Sequence, residues 1–208
     1  MRCLLTAWIL GISLSPMVAA ATTPGSLDEP VLLQFVRDYA NTAGLSDLAH
    51  VRPPPGTTEI RIWTGFGVIA PESSIVLTMA PGHSVRGRAL YRFRYDENDA
   101  ESMRALSDGC ASDPRRQHDV AICDARLARS TDWAAIWAAL EQLGIATLPD
   151  ESVLPPTRHR VKDGASIVIE IATSEGYRAY AYSNPALRSE PEARAAVDIM
   201  RTVNDVFR

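Results

Sequence analysis

The chain has 208 residues, 46% of them hydrophobic and 22% charged, the balance of a globular protein able to bury a core. Its formal net charge is -4, from 25 acidic and 21 basic residues, which argues against nucleic-acid binding because that function wants a basic domain. Lys162 is the only lysine, so nearly all positive charge is arginine.

Arg2 precedes an apolar run from Cys3 to Leu14, Pro16 ends it, and Val18, Ala19, Ala20 and Ala21 follow as small residues. A cationic head, a short apolar core and small residues at a cut site predict a secretory signal peptide over 1–20, cleaved after Ala20 or Ala21. The run has about a dozen apolar residues where a bilayer span needs about 20, so no membrane span is expected after cleavage. The predicted location is periplasmic or secreted. Residues 21–56 read as an N-terminal helix and a Pro-rich connector, and 57–208 as a single α+β domain.

Ser26 and Glu29 have the spacing of a capping box, with Pro30 in the first turn. Leu32, Phe35, Val36 and Tyr39 then share one helical face, and the helix should stop near Gly44. Pro53-Pro54-Pro55-Gly56 is a stiff connector. From Thr57 the pattern alternates, with Ile60 and Ile62 on one face of a half-buried strand and Glu59, Arg61 and Trp63 on the other. Ser74–Met79 and Val85–Tyr95 continue an antiparallel meander. In the last of these, Ala89, Tyr91, Phe93 and Tyr95 oppose Arg86, Arg88, Arg92 and Arg94.

Once Cys3 leaves with the signal peptide, Cys110 and Cys123 remain, an even pair that predicts a disulfide in an oxidising compartment. The residues between them are polar and turn-rich, so a staple there would hold a loop with little core of its own. Ser130 or Thr131 can cap a helix whose apolar stripe is Trp133, Ile136, Trp137, Leu140 and Leu143, stopped by Gly144. Ser166–Thr173 and Tyr177–Tyr182 flank Ser174-Glu175-Gly176 as a hairpin. A last helix enters through Ser189, Pro191 and Glu192 and buries Ala196, Ile199, Met200, Val203 and Phe207. The fold class expected is α+β: an antiparallel sheet, from a strand meander plus a C-terminal hairpin, with helices packed on one face.

Several motifs tempt a chemical reading. Gly65-Phe66-Gly67-Val68-Ile69-Ala70 matches a dinucleotide fingerprint on paper, but Pro71 and a second strand follow where a helix N-terminus must face the pyrophosphate. Asp96, Asn98, Asp99 and Glu101 are oxygen-rich but lack calcium-loop spacing, and read as a solvated acidic turn. His50, His83, His118 and His159 have no zinc spacing. Neither a metal nor a cofactor is expected. His118-Asp119 could orient a general base, yet no nucleophile context accompanies it. The arginine row of the third strand has the length of two or three phosphates or carboxylates and is a candidate anion site, against the plainer reading that its charges meet carboxylates across the sheet.

The C-terminal half, Trp133 through Phe207, resembles a group of exported proteins of Gram-negative bacteria to which no activity is assigned. The resemblance is carried by Trp137-Ala-Ala-Leu140, Leu143-Gly-Ile145, Leu148-Pro-Asp150, Asp163-Gly164, Ile169-Glu-Ile171 and Gly176-Tyr-Arg-Ala-Tyr-Ala-Tyr-Ser-Asn-Pro185. It implies an envelope setting and no site residue. With framework residues plentiful and reactive constellations absent, the expected function is non-catalytic binding of an envelope protein or anionic envelope component. The alternative is a periplasmic hydrolase assembled on folding, with His118, Asp119, Tyr177, Tyr180 and Tyr182 as its first suspects. A third class is an inhibitor or immunity-type partner that uses the stapled loop as its recognition tip.

Overall fold

A computed structural model describes residues 31–66, 72–94, 98–156 and 164–208. The predicted signal peptide over 1–20, the expected Ser26–Glu29 capping box, Gly67 to Ala70, Tyr95, Asp96, His159 and Asp163 lie outside the described residues. Helix α1 (Val31–Thr42) is followed by the strands β1 (Thr58–Gly65), β2 (Glu72–Met79) and β3 (Arg86–Arg94). Next come α2 (Ala100–Gly109), β4 (Arg115–Gln117), β5 (Val120–Asp124) and α3 (Trp133–Gln142). The chain continues through β6 (Ser166–Thr173) and β7 (Tyr177–Ser183) to α4 (Pro191–Asp205).

The fold is α+β, built among the described residues on one seven-stranded antiparallel sheet in the order β4-β5-β3-β2-β1-β6-β7. The meander forms as expected from alternation, and the C-terminal hairpin pairs back onto β1, with Ile62 opposite Ile169 and Trp63 opposite Val168. Strand alternation divides the core in two. Ile60, Ile62, Ile75, Leu77, Ile167, Ile169, Tyr180 and Tyr182 face one side and pack with Leu140 of α3 and Ala196, Ile199 and Val203 of α4. Trp63, Val76, Leu90, Ile122, Val168 and Ala181 face the other and are covered by Val36, Ala40 and Ala43 near and along α1.

The helices therefore occupy both faces, α3 and α4 on one and α1 on the other, rather than a single face. The reason lies in β1, which is buried on both sides: Arg61 and Trp63, expected on a wetter face, are 1% and 2% exposed. Two further differences concern 100–124. Asp99 caps α2 by accepting from the backbone N–H groups of Glu101 (3.2 Å) and Ser102 (3.1 Å), so the acidic turn is a helix start. The stapled segment is a β-hairpin rather than an irregular loop, with β4 paired to β5. The Cys110–Cys123 disulfide is present, with Cα atoms 5.6 Å apart, and ties the C-terminal cap of α2 to β5. At the C-terminal helix, Glu190 occupies the cap position without a side-chain hydrogen bond, so the expected capping box does not form there.

Candidate functional site

Between α1 and the β3–β5 end of the sheet lies a cavity of about 360 Å³, within the usual range for ligand pockets. On α1, Leu32, Phe35, Asp38, Tyr39 and Thr42 fall on one flank, the spacing that a helix uses to present a continuous surface. Val36 and Ala40, turned further inward, anchor the helix to the sheet and hold that flank in place. Opposite stand Arg92 and Arg94 of β3, Glu72 at the start of β2, Phe66 just beyond β1, and the β4–β5 turn with Gln117, His118, Asp119 and Val120.

Arg92 is the centre of this arrangement. Its guanidinium lies 3.8 Å from the Tyr39 ring centroid and 5.2 Å from that of Phe66, and it pairs with Glu72, its cross-strand neighbour. Burial, aided by the neighbouring charge of Arg94 and opposed by Tyr39, lowers its pKa to about 10, so it remains cationic at neutral pH. Phe35, Tyr39 and Phe66 form an aromatic run with successive centroids 6.3 and 6.1 Å apart. Phe35 keeps 45% of its surface exposed at the mouth.

The rim is polar. Arg94 faces Asp119 at 3.7 Å, and both side chains are about two-thirds or more exposed, at 72% and 68%. His118 occupies the first position of a two-residue turn between Gln117 and Val120, with φ 53, a left-handed conformation more often taken by glycine. The Thr42 hydroxyl lies between two acceptors, the Asp38 carbonyl of its own helix at 2.8 Å and the side-chain oxygen of Gln117 on β4.

The arginine row is thus divided. Arg92 and Arg94 enter the cavity, Arg88 pairs with Asp124 at 2.9 Å in a smaller polar recess, and Arg86 is exposed. Three of the four meet carboxylates, so they do not form a bare cationic stripe. His118 and Asp119 reach the same cavity, whereas Tyr177, Tyr180 and Tyr182 stand on β7 at the opposite edge, five strand spacings from β5 and roughly 24 Å away. Those tyrosines have structural partners: Tyr180 donates to the Ile145 carbonyl at 2.5 Å, Tyr182 to that of Pro149 at 2.7 Å, and Tyr177 to Glu170 at 3.0 Å. Burial pushes all three phenols upward, Tyr182 to about 12, away from any role as a base near neutrality.

The sequence reading missed Phe35, Tyr39, Phe66 and Glu72 as site residues. The aromatic pair on α1 was indistinguishable from core, and only strand register sets Glu72 opposite Arg92. Among the described residues no group of His, Cys, Asp or Glu is arranged to hold a metal ion, and no helix is long and apolar enough to cross a membrane. No protein-family model matches the chain, and no curated protein is significantly similar to it.

Proposed function

We propose that the protein is an exported, non-catalytic binding domain of the bacterial envelope whose ligand enters the cavity under α1. One observation carries this reading: Phe66, the Arg92–Arg94 pair and the His118–Asp119 turn, distant in sequence, converge with Phe35 and Tyr39 on a single cavity. An apolar wall with a few placed polar groups is how small-molecule sites are generally built. Binding rather than turnover is favoured because the aliphatic hydroxyl lining the cavity, on Thr42, is already engaged by Asp38 and Gln117, and the buried Arg92 and Glu72 charges are paired.

The test is to express the full chain with its leader in a Gram-negative host, isolate the periplasmic protein and record native mass spectra. A small molecule retained by the wild type and lost in Leu32→Trp, which fills the mouth, is the expected result. Equal retention by both, or none by either, would overturn the assignment to this cavity. A captured molecule converted to smaller products in a His118-dependent manner would favour the alternative, a hydrolase.

A further inference from the structure

We infer that the cavity selects an amphipathic monoanion, its carboxylate or phosphate head between Arg92 and Arg94 and its apolar body along Leu32, Phe35, Tyr39 and Phe66. The inference rests on the proposed binding role of this cavity and names the ligand's chemical class.

The two guanidiniums lie two residues apart on one face of β3 and both line the cavity. A guanidinium carries more N–H donors than one carboxylate can satisfy, and its planar fork suits a carboxylate or phosphate. Glu72 balances Arg92, but the only ion pair of Arg94 among the described residues is to Asp119 at 3.7 Å, beyond hydrogen-bond length. An exposed pair of that kind contributes little, so a ligand anion displaces Asp119 readily. Burial is the main cause of the lowered Arg92 pKa, and repulsion from Arg94 adds a smaller part that an anion between them would relieve.

A cationic head could meet Asp38 and Asp119, both exposed, but fits the inner wall of the cavity less well. The Tyr39 face that would receive it already carries the Arg92 guanidinium at 3.8 Å, and Glu72 is bound to that same group. A wholly apolar ligand would cover Phe35 but would leave two arginines beside it without a new partner. The volume, about 360 Å³, is that of roughly a dozen waters at about 30 Å³ each, which suits a short acyl chain or an aryl acid.

Isothermal titration of the folded, oxidised protein with octanoate, octylammonium and octan-1-ol reads the preference directly. Octanoate should bind at least about tenfold more tightly than either, and Arg94→Gln, a change at an exposed side chain, should cost it about tenfold, the scale of one charge-assisted hydrogen bond. Equal or tighter binding of octylammonium or octanol, an unchanged affinity in Arg94→Gln, or no binding of any probe would overturn the inference. If octylammonium or octanol wins while Leu32→Trp still abolishes binding, the cavity remains a binding site and only its anion selectivity fails. If Leu32→Trp changes nothing, both readings fall together. Sedimentation with phosphatidylglycerol vesicles separates two sources of the anion. Octanoate binding without vesicle retention assigns a free acid, retention lost in Leu32→Trp assigns a lipid, and retention indifferent to Leu32→Trp counts against the cavity.

Discussion

Glu170 and Arg61 sit opposite each other on β6 and β1, 3% and 1% exposed. Glu170 accepts from Trp63 Nε1 at 2.9 Å and from the Tyr177 hydroxyl at 3.0 Å, while Arg61 binds Glu59 through Nε at 2.8 Å and a terminal nitrogen at 2.7 Å. Burial raises the Glu170 pKa, and Arg61, Trp63 and Tyr177 only partly oppose it. A carboxyl with a raised folded pKa holds its proton more tightly in the folded chain than in the unfolded one. Its contribution is thus most favourable below the unfolded value of about 4.5 and is lost as pH rises through the folded value. Glu170→Gln should remove that dependence, so urea midpoints of the wild type relative to the variant should rise on acidification from neutrality. A pH-independent difference would refute this. The Arg92–Glu72 pair makes a second residue-scale case. Arg92→Met or Glu72→Met alone should cost about 3 kcal/mol in urea unfolding by stranding a buried charge, and the double variant should recover most of the loss. Additive losses would mean that the two charges are not coupled.

At the scale of elements, close approach and edge protection decide how the pieces meet. A Cβ on Gly87 of β3 would fall 2.1 Å from a ring carbon of Trp133, so α3 can rest on the sheet only because that residue is glycine. Gly87→Ala should cost about 2 kcal/mol in thermal or urea unfolding. Gly176→Ala, where the added Cβ meets nothing within 4 Å, should be close to neutral and serves as the control. The β7 edge is closed by carboxylates: Asp150 accepts from Ala181 N–H at 2.9 Å and Glu151 from Ser183 N–H at 2.8 Å, standing in for a neighbouring strand. The disulfide does comparable work for α2, whose only fully buried residue is Leu106. Reduction should lower stability by about 3 kcal/mol in the loop-closure picture, with amide exchange quickening first in Ala100–Gly109. Unchanged exchange in α2 would show that Leu106, Phe93 and Ala121 hold it without the staple.

For the molecule as a whole, the proposed envelope role depends on export. Full-length protein made in a Gram-negative host should appear in the periplasmic fraction with a mass that begins at Ala21 or Thr22 and has no free thiol. Intact chain in the cytosol with Cys110 and Cys123 reduced would remove the basis for an envelope ligand. Much of the architecture was legible along the chain because period sets it: a two-residue period for β1, β2, β3, β6 and β7 and a helical one for α1, α3 and α4, while the disulfide was read from the two cysteines that remain when Cys3 is set aside with the predicted leader. The short elements α2, β4 and β5 escaped, since ten residues with one buried side chain and a three-residue exposed strand carry too little periodicity to register. What only the tertiary structure decided was which side of the sheet α1 covers, and hence the cavity itself. Arg92 and Glu72 are 20 positions apart and Phe66 and His118 more than 50, and no local pattern encodes their meeting. Local propensity acts over a few residues, whereas strand register and helix docking are settled by burying apolar surface across the whole domain.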